Sequence, residues 1–119
     1  MEFLKSNIDT NNKREVYRMT KGDSIRIQDI EKGLSIPVDK WALYLEDKTG
    51  KDGSVTQQRV LSFVSGGVKY GTISGTFINS FMEIVDLMEN DPFALVITGG
   101  TSKGGRTYVN CEMDCDYNQ

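Results

Sequence analysis

With 119 residues, 38% of them hydrophobic and 26% charged, the chain is sized for one domain with a modest core. Its longest aliphatic or aromatic run, Phe93 to Ile97, is too short to cross a bilayer, and Met1-Glu2-Phe3-Leu4-Lys5 lacks a signal-peptide pattern, so a cytoplasmic protein is expected. The net charge is −3 and histidine is absent, which removes the commonest general base and every Ser–His or Cys–His nucleophile pair; a non-enzymatic protein with no cofactor is expected, with only carboxylate-held metal chemistry left formally open.

Residues 1–20 show no sustained period. Asn7, Asp9, Thr10, Asn11 and Asn12 form a polar cluster, so this stretch reads as a flexible N-terminal arm. Its Lys13, Arg14 and Arg18, with Lys21 just beyond, can either touch phosphate or sit on a solvated tether. A period of two begins at Asp23, with Ile25, Ile27 and Ile30. Lys32-Gly33 breaks it and Leu34, Ile36 and Val38 resume it, which predicts a first strand bent or bulged at the glycine, with Pro37 at an edge or corner.

Asp39 to Glu46 is the clearest strand. Trp41, Leu43 and Leu45 fall on one face, and Lys40, Ala42, Tyr44 and Glu46 on the other. Asp47 to Gly53 is a turn by composition. A third strand is predicted over 54–64, with Val60, Ser62 and Val64 opposite Arg59, Leu61 and Phe63. Gly66-Gly67 turns the chain again, and 68–73 reads as a short strand.

One helix follows. Phe77, Phe81, Ile84, Val85 and Met88 recur at helical spacing as a single apolar stripe. Ser74 or Thr76 supplies an N-cap oxygen, and Asn90-Asp91-Pro92 ends the helix. Glu83, Asp86 and Glu89 occupy the opposite, solvent side. The chain then runs through Phe93 to Ile97, a loop rich in glycine from Gly99 to Gly105, and a second run from Arg106 to Met113. This predicts a hairpin with a mobile cationic loop, where missing bulk lets another backbone or a flat ring approach.

Cys111 and Cys115 cannot by themselves complete a zinc site, so Cys111 is expected in the core and Cys115 as a near-terminal thiol; no metal site is expected. Residues 76–91 carry four acids and residues 112–119 three, neither with a cation. The rest has ten acids against all 14 Lys and Arg, a net of +4, which is compatible with a polyanionic ligand.

Three or four strands, a helix and a hairpin give an all-β fold with one helix. The order strand-strand-strand-helix-strand-strand is that of a five-stranded Greek-key barrel of the oligonucleotide-binding type (OB-fold). The domain boundaries expected are 1–20 for the arm, 21–113 for the barrel and 114–119 for a short acidic tail. Ligand would lie across strands 39–47 and 54–64, beside the loop from Gly99 to Gly105.

Three segments carry a resemblance to a known family: Val38 to Asp47, the helix start at Thr76-Phe77-Ile78, and Ile97-Thr98-Gly99-Gly100-Thr101-Ser102-Lys103-Gly104-Gly105-Arg106-Thr107-Tyr108. Over about residues 14–113 the chain resembles small single-stranded DNA-binding proteins of bacterial viruses, of the lactococcal-phage type. The resemblance implies an OB-fold acting in the cytoplasm of an infected host cell. It further implies binding of single-stranded DNA with little sequence preference, protecting it during phage DNA replication or recombination. The partners it implies are single-stranded DNA and phage or host replication and recombination proteins. The chain ends at Asp114-Cys115-Asp116-Tyr117-Asn118-Gln119, whereas bacterial single-stranded DNA-binding proteins end in a long tail with an acidic, phenylalanine-terminated tip. Recruitment through such a tip is therefore not expected.

Single strands are held by cationic grooves and aromatic platforms. Candidate platforms are Tyr44 and Phe63, if Trp41 and Val60 point inward, with Tyr70 beside Lys69 and Tyr108 beside Arg106. Candidate cations are Lys40, Arg59, Lys69, Lys103 and Arg106. The face of Trp41 is open, because a one-residue change of register exchanges all of these assignments. A phosphate loop is a poor match, since Gly99 to Gly105 joins two strands and lacks a Gly-Lys-Ser/Thr ending. The alternative is a non-enzymatic, OB-like protein-interaction module, such as a phage assembly or host-inhibiting factor. A homodimer is expected, because linked sites raise affinity.

Overall fold

Two long strands with apolar side chains on both faces set the centre of the molecule. A computed structural model describes residues 1–101 and 103–117. In it β4 (Lys40–Thr49) and β5 (Val55–Ser65) pair antiparallel from Lys40↔Val64 to Thr49↔Val55. Gly66 and Gly67, with φ of 57° and 82°, turn the chain into β6 (Val68–Thr72), in a left-handed geometry that other residues rarely adopt. β1 (Glu2–Ser6) pairs with the far side of β4, and the two-residue β2 (Ile25–Arg26) runs parallel to β6. The first sheet is therefore ordered β1-β4-β5-β6-β2. A second, three-stranded sheet holds β3 (Ser35–Pro37), β7 (Ala94–Thr101) and β8 (Thr107–Met113) in that order.

The segment before β4 thus contributes to both sheets, bending through a 3-10 turn at Ile27–Asp29. Ile27, Ile30 and Ile36 from this segment are buried. Where a first strand bent or bulged at Gly33 is expected, the chain makes two short strands joined by this turn and a loop. The described residues form eight strands in two sheets with two α-helices, against the five strands and one helix expected, an arrangement that does not by itself establish a closed five-stranded barrel. What holds is the coarser reading of a small β-rich fold. No helix among the described residues is long and apolar enough to cross a membrane.

The arm is also corrected. Residues 2–6 form β1, and α1 spans Lys13–Thr20. The polar cluster hides a helix start: Asn12 is the N-cap, and its side-chain oxygen accepts from the backbone N–H of Arg14 and Glu15 at 3.2 Å each. Met19 is the inward anchor of α1.

The helix after β6 follows its predicted stripe. α2 spans Gly75–Met88 and Ser74 caps it, its hydroxyl accepting from Phe77 N–H at 3.3 Å. Phe77, Phe81, Ile84 and Val85 are buried, and Met88 packs against the same core. The main core lies between α2 and the two sheets, around Leu43, Leu61, Phe63, Leu95 and Ile97. Trp41 belongs to it, meeting the Phe81 ring edge-on at 5.8 Å between centroids. A second, smaller core lies on the other face of β4 and β5, where Ile8, Met19, Ala42 and Tyr44 meet Phe3, Val60 and Val64. The middle of β4 and of β5 is therefore covered on both sides.

Candidate nucleic-acid interface

The nine residues singled out for strand binding lie in four different surroundings. Phe63 is corrected outright: it is fully buried in the main core, its ring stacked against Tyr70 at 5.3 Å and against Phe81 at 5.7 Å. The inward face of β5 carries Leu61 and Phe63, and Val60 and Val64 point the other way. Tyr70 is half-buried, with one ring face covered by Phe63.

Tyr44 does lie on the face opposite Trp41, as expected, but α1 and β1 cover that face. Tyr44 is only 4% exposed, 5.9 Å from the Phe3 ring. Burial pushes its phenol above the ordinary range, opposed by a hydrogen bond with Ser62. Lys40 and Lys69, predicted for the same face, hold α1 in place. Lys40 Nζ pairs with Glu15 Oε1 at 2.8 Å. Lys69 Nζ donates to the Arg18 carbonyl at 3.0 Å and to the Lys21 carbonyl, which ties down the helix C-terminus. Partial desolvation lowers the Lys69 pKa, and Asp23 opposes this by favouring the charged form. Arg59 lies on the α2 side, its guanidinium donating to Asn79 Oδ1 at 3.2 Å.

Lys103, Arg106 and Tyr108 remain together on the β7–β8 hairpin, all exposed. Ser102, in the same loop, lies outside the described residues. The register pairs Gly99 with Val109 and Gly100 with Tyr108. What approaches the first two glycines of the loop is the chain itself. The Tyr108 ring lies over Gly100, its hydroxyl 3.2 Å and its Cζ 3.4 Å from where a β-carbon would stand. At Gly99 a β-carbon would overlap the Tyr108 carbonyl oxygen and sit 2.9 Å from Lys32 Cε. By contrast, a β-carbon at Gly104 or Gly105 would meet nothing within 4 Å.

Lys32 reaches this spot because its turn is bonded to β7. Gly33 N–H donates to the Ile97 carbonyl at 2.8 Å, and Ile97 N–H to the Leu34 carbonyl at 3.3 Å. The result is a groove of about 550 Å³ between the hairpin and the 3-10 turn, lined by Gln28, Lys32, Ser74, Gly100 and Tyr108 among others. Tyr108 is 50% exposed, so with the hydroxyl end of the ring against Gly100 much of the ring remains open to a ligand. A half-open ring with an ammonium and an amide beside it can stack a planar base and pair with an adjacent phosphate. Sequence reasoning missed Gln28 and Lys32. The one signal for Lys32 is its place beside Gly33, where the strand period breaks.

A groove of about 670 Å³ at the other end of β7 has the opposite character. Asp39, Asp86, Glu89 and Asp91 line it against a single cation, Lys5, which is itself paired with Asp86 at 2.7 Å. A polyanion is repelled there. Cys111 is buried in the main core, where burial pushes its thiol up to about 12. Comparison with protein-family models, with curated proteins and with solved structures finds no match to this chain.

Proposed function

We propose that the protein binds single-stranded DNA with little sequence preference, through the hairpin groove. The observation that carries this reading is the half-open Tyr108 ring seated on Gly100, with Lys32 and Gln28 in the same groove and Lys103 and Arg106 on the loop beside it. Stacking is worth about 1–3 kcal/mol per base and accepts any base, so a platform with surrounding cations gives affinity without base-edge readout. The finer view of the fold as an oligonucleotide-binding barrel belongs to the same proposal. It is supported by a bent first segment shared between two sheets and by a helix placed between the three-stranded meander and the final hairpin. In this reading the protein coats strands exposed during replication or recombination of a bacterial-virus genome, as a dimer in the host cytoplasm.

The test is an electrophoretic mobility shift with oligo(dT) over a salt series. Affinity falls steeply with salt, by a log–log slope of about 0.7 for each phosphate neutralised. Tyr108→Ala weakens binding about 5- to 150-fold, the equivalent of one lost stack. A protein that retards no single strand at low salt is not a DNA-binding protein, and its groove is then a surface for another protein.

A further inference from the structure

We infer that the strand-binding surface extends from the hairpin across the sheet rim to α1, and that Tyr17 is a second stacking platform at its far end. This rests on the DNA-binding reading above and enlarges it. Tyr17 is 66% exposed on α1, an aromatic ring turned to water beside Arg18 and Lys21. It lines a groove of about 570 Å³ together with these two cations, Lys40 and Lys69. A neighbouring groove of about 440 Å³ shares Met19 and Lys69 with it. That second groove in turn shares Gln28 with the hairpin groove that holds Tyr108. The three depressions adjoin one another through these shared residues, with an open tyrosine in each outer one, and we read them as one track.

Charge marks the same track. Its lining holds six cations (Arg18, Lys21, Arg26, Lys32, Lys40 and Lys69) against three acids (Glu15, Asp23 and Glu46). Glu15 and Lys40 neutralise each other, which leaves five cations against two acids. The acidic groove at the other end of β7 has four acids against one cation, so a polyanion is steered to one side of the molecule. Residues 17–32 supply most of the track's groups, Tyr17, Arg18, Lys21, Arg26, Gln28 and Lys32, with Asp23, Asp29 and Glu31 between them. Two open aromatic rings with cations between them are what a single strand needs and what a folded protein partner does not require.

The test compares oligo(dT) of about 20 nucleotides, longer than the roughly 4–16 nucleotides that one such domain covers, with oligo(dT) of about 6, near the short end of that range. Fluorescence anisotropy at low salt is measured on the unaltered protein, Tyr17→Ala, Tyr17→Phe and Tyr108→Ala. Tyr17→Ala is expected to weaken the long oligonucleotide about 5-fold or more, and Tyr17→Phe to restore it, since the ring and not the hydroxyl stacks. Arg18→Gln with Lys21→Gln is expected to lower the salt slope by about 1.4, the share of two phosphates. Unchanged melting temperatures show that the exposed substitutions leave the fold intact. If Tyr17→Ala binds the long strand as tightly as the unaltered protein while Tyr108→Ala does not, the track ends at the hairpin and the inference is overturned, with the function standing. If neither oligonucleotide binds any of the proteins at low salt, the function itself falls.

Discussion

Replacing Gly99 by alanine separates two accounts of the glycine-rich hairpin. If the glycines serve loop mobility alone, Gly99→Ala and Gly104→Ala behave alike. The structure separates them, because a β-carbon at Gly99 would overlap the Tyr108 carbonyl oxygen, whereas one at Gly104 would meet nothing within 4 Å. Relief of strand entropy favours Gly99→Ala by about 0.5–1 kcal/mol. Overpacking against a backbone atom costs about 1–3 kcal/mol. The clash dominates, and a net loss of about 1–2 kcal/mol lowers the melting temperature by about 4–8 °C for a chain of this size. Gly104→Ala, with no positive φ to violate, is expected to be neutral or to gain about 0.4–1 kcal/mol. Lys32→Ala added to Gly99→Ala should give no rescue, because the immovable neighbour is the carbonyl and not the lysine tip. Thermal melts by circular dichroism measure all four proteins. Equal stability of Gly99→Ala and Gly104→Ala would refute the packing argument, and rescue by Lys32→Ala would show that the wrong neighbour has been blamed.

Other substitutions test the rest of the framework. Phe63→Ala removes a fully buried ring and should cost about 3–5 kcal/mol in urea denaturation, so any loss of DNA binding at this position would track unfolding. Lys69→Met removes the charged donor from the Arg18 and Lys21 carbonyls; amide exchange across residues 13–21 should accelerate while β4 and β5 stay protected, and uniform acceleration would show that α1 is not a separate unit. Cys111 gives a pH test. The unfolded thiol ionises near its ordinary 9.0 while the folded one is held to about 12, so the unfolded chain binds fewer protons and stability falls as pH rises above 9. The slope approaches about 1.4 kcal/mol per pH unit. Tyr44, raised by burial, adds in the same direction above 10, and Lys69, lowered by burial, opposes just below 10.5. Cys111→Ala should flatten the fall in urea midpoint between pH 9 and 10, and an unchanged slope would remove Cys111 as its cause.

Where one period dominates, the sequence is a good guide. α2 follows from five apolar residues at helical spacing, and the β7–β8 hairpin from two β-rich runs around glycines. The faces of β5 resist reading because both are apolar: Leu61 and Phe63 enter one core, while Val60 and Val64 enter the other. Burial on both sides erases the alternation that assigns a face. α1 escaped for a different reason. It is short, largely charged and inserts only Met19, so its one clear signal is the pairing of Asn12 with the amides of the first turn. Missing α1 is what made Tyr44 look available. At the candidate site, the hairpin cations and Tyr108 are visible in sequence, but Lys32 and Gln28 depend on the hydrogen bonds that fold the preceding turn back onto β7.

Energetics decide which aromatics can meet a strand. Presenting Tyr44 requires lifting α1 from the sheet. That exposes Met19, whose burial is worth about 1.5–3 kcal/mol, and breaks the two charge-assisted bonds of Lys69, worth about 1.5–3 kcal/mol each before solvent screening. Lys69 is partly exposed, so the lower end applies, and the Lys40–Glu15 pair at the surface adds at most about 1 kcal/mol. One base stacked on Tyr44 would return about 1–3 kcal/mol, which does not offset the loss. Phe63 is further out of reach, since exposing it opens the main core. On the proposed reading, a strand therefore gains most by leaving the covered sheet alone and following its rim, where Tyr108 and Tyr17 already stand in solvent and no buried contact must be broken before a base can stack.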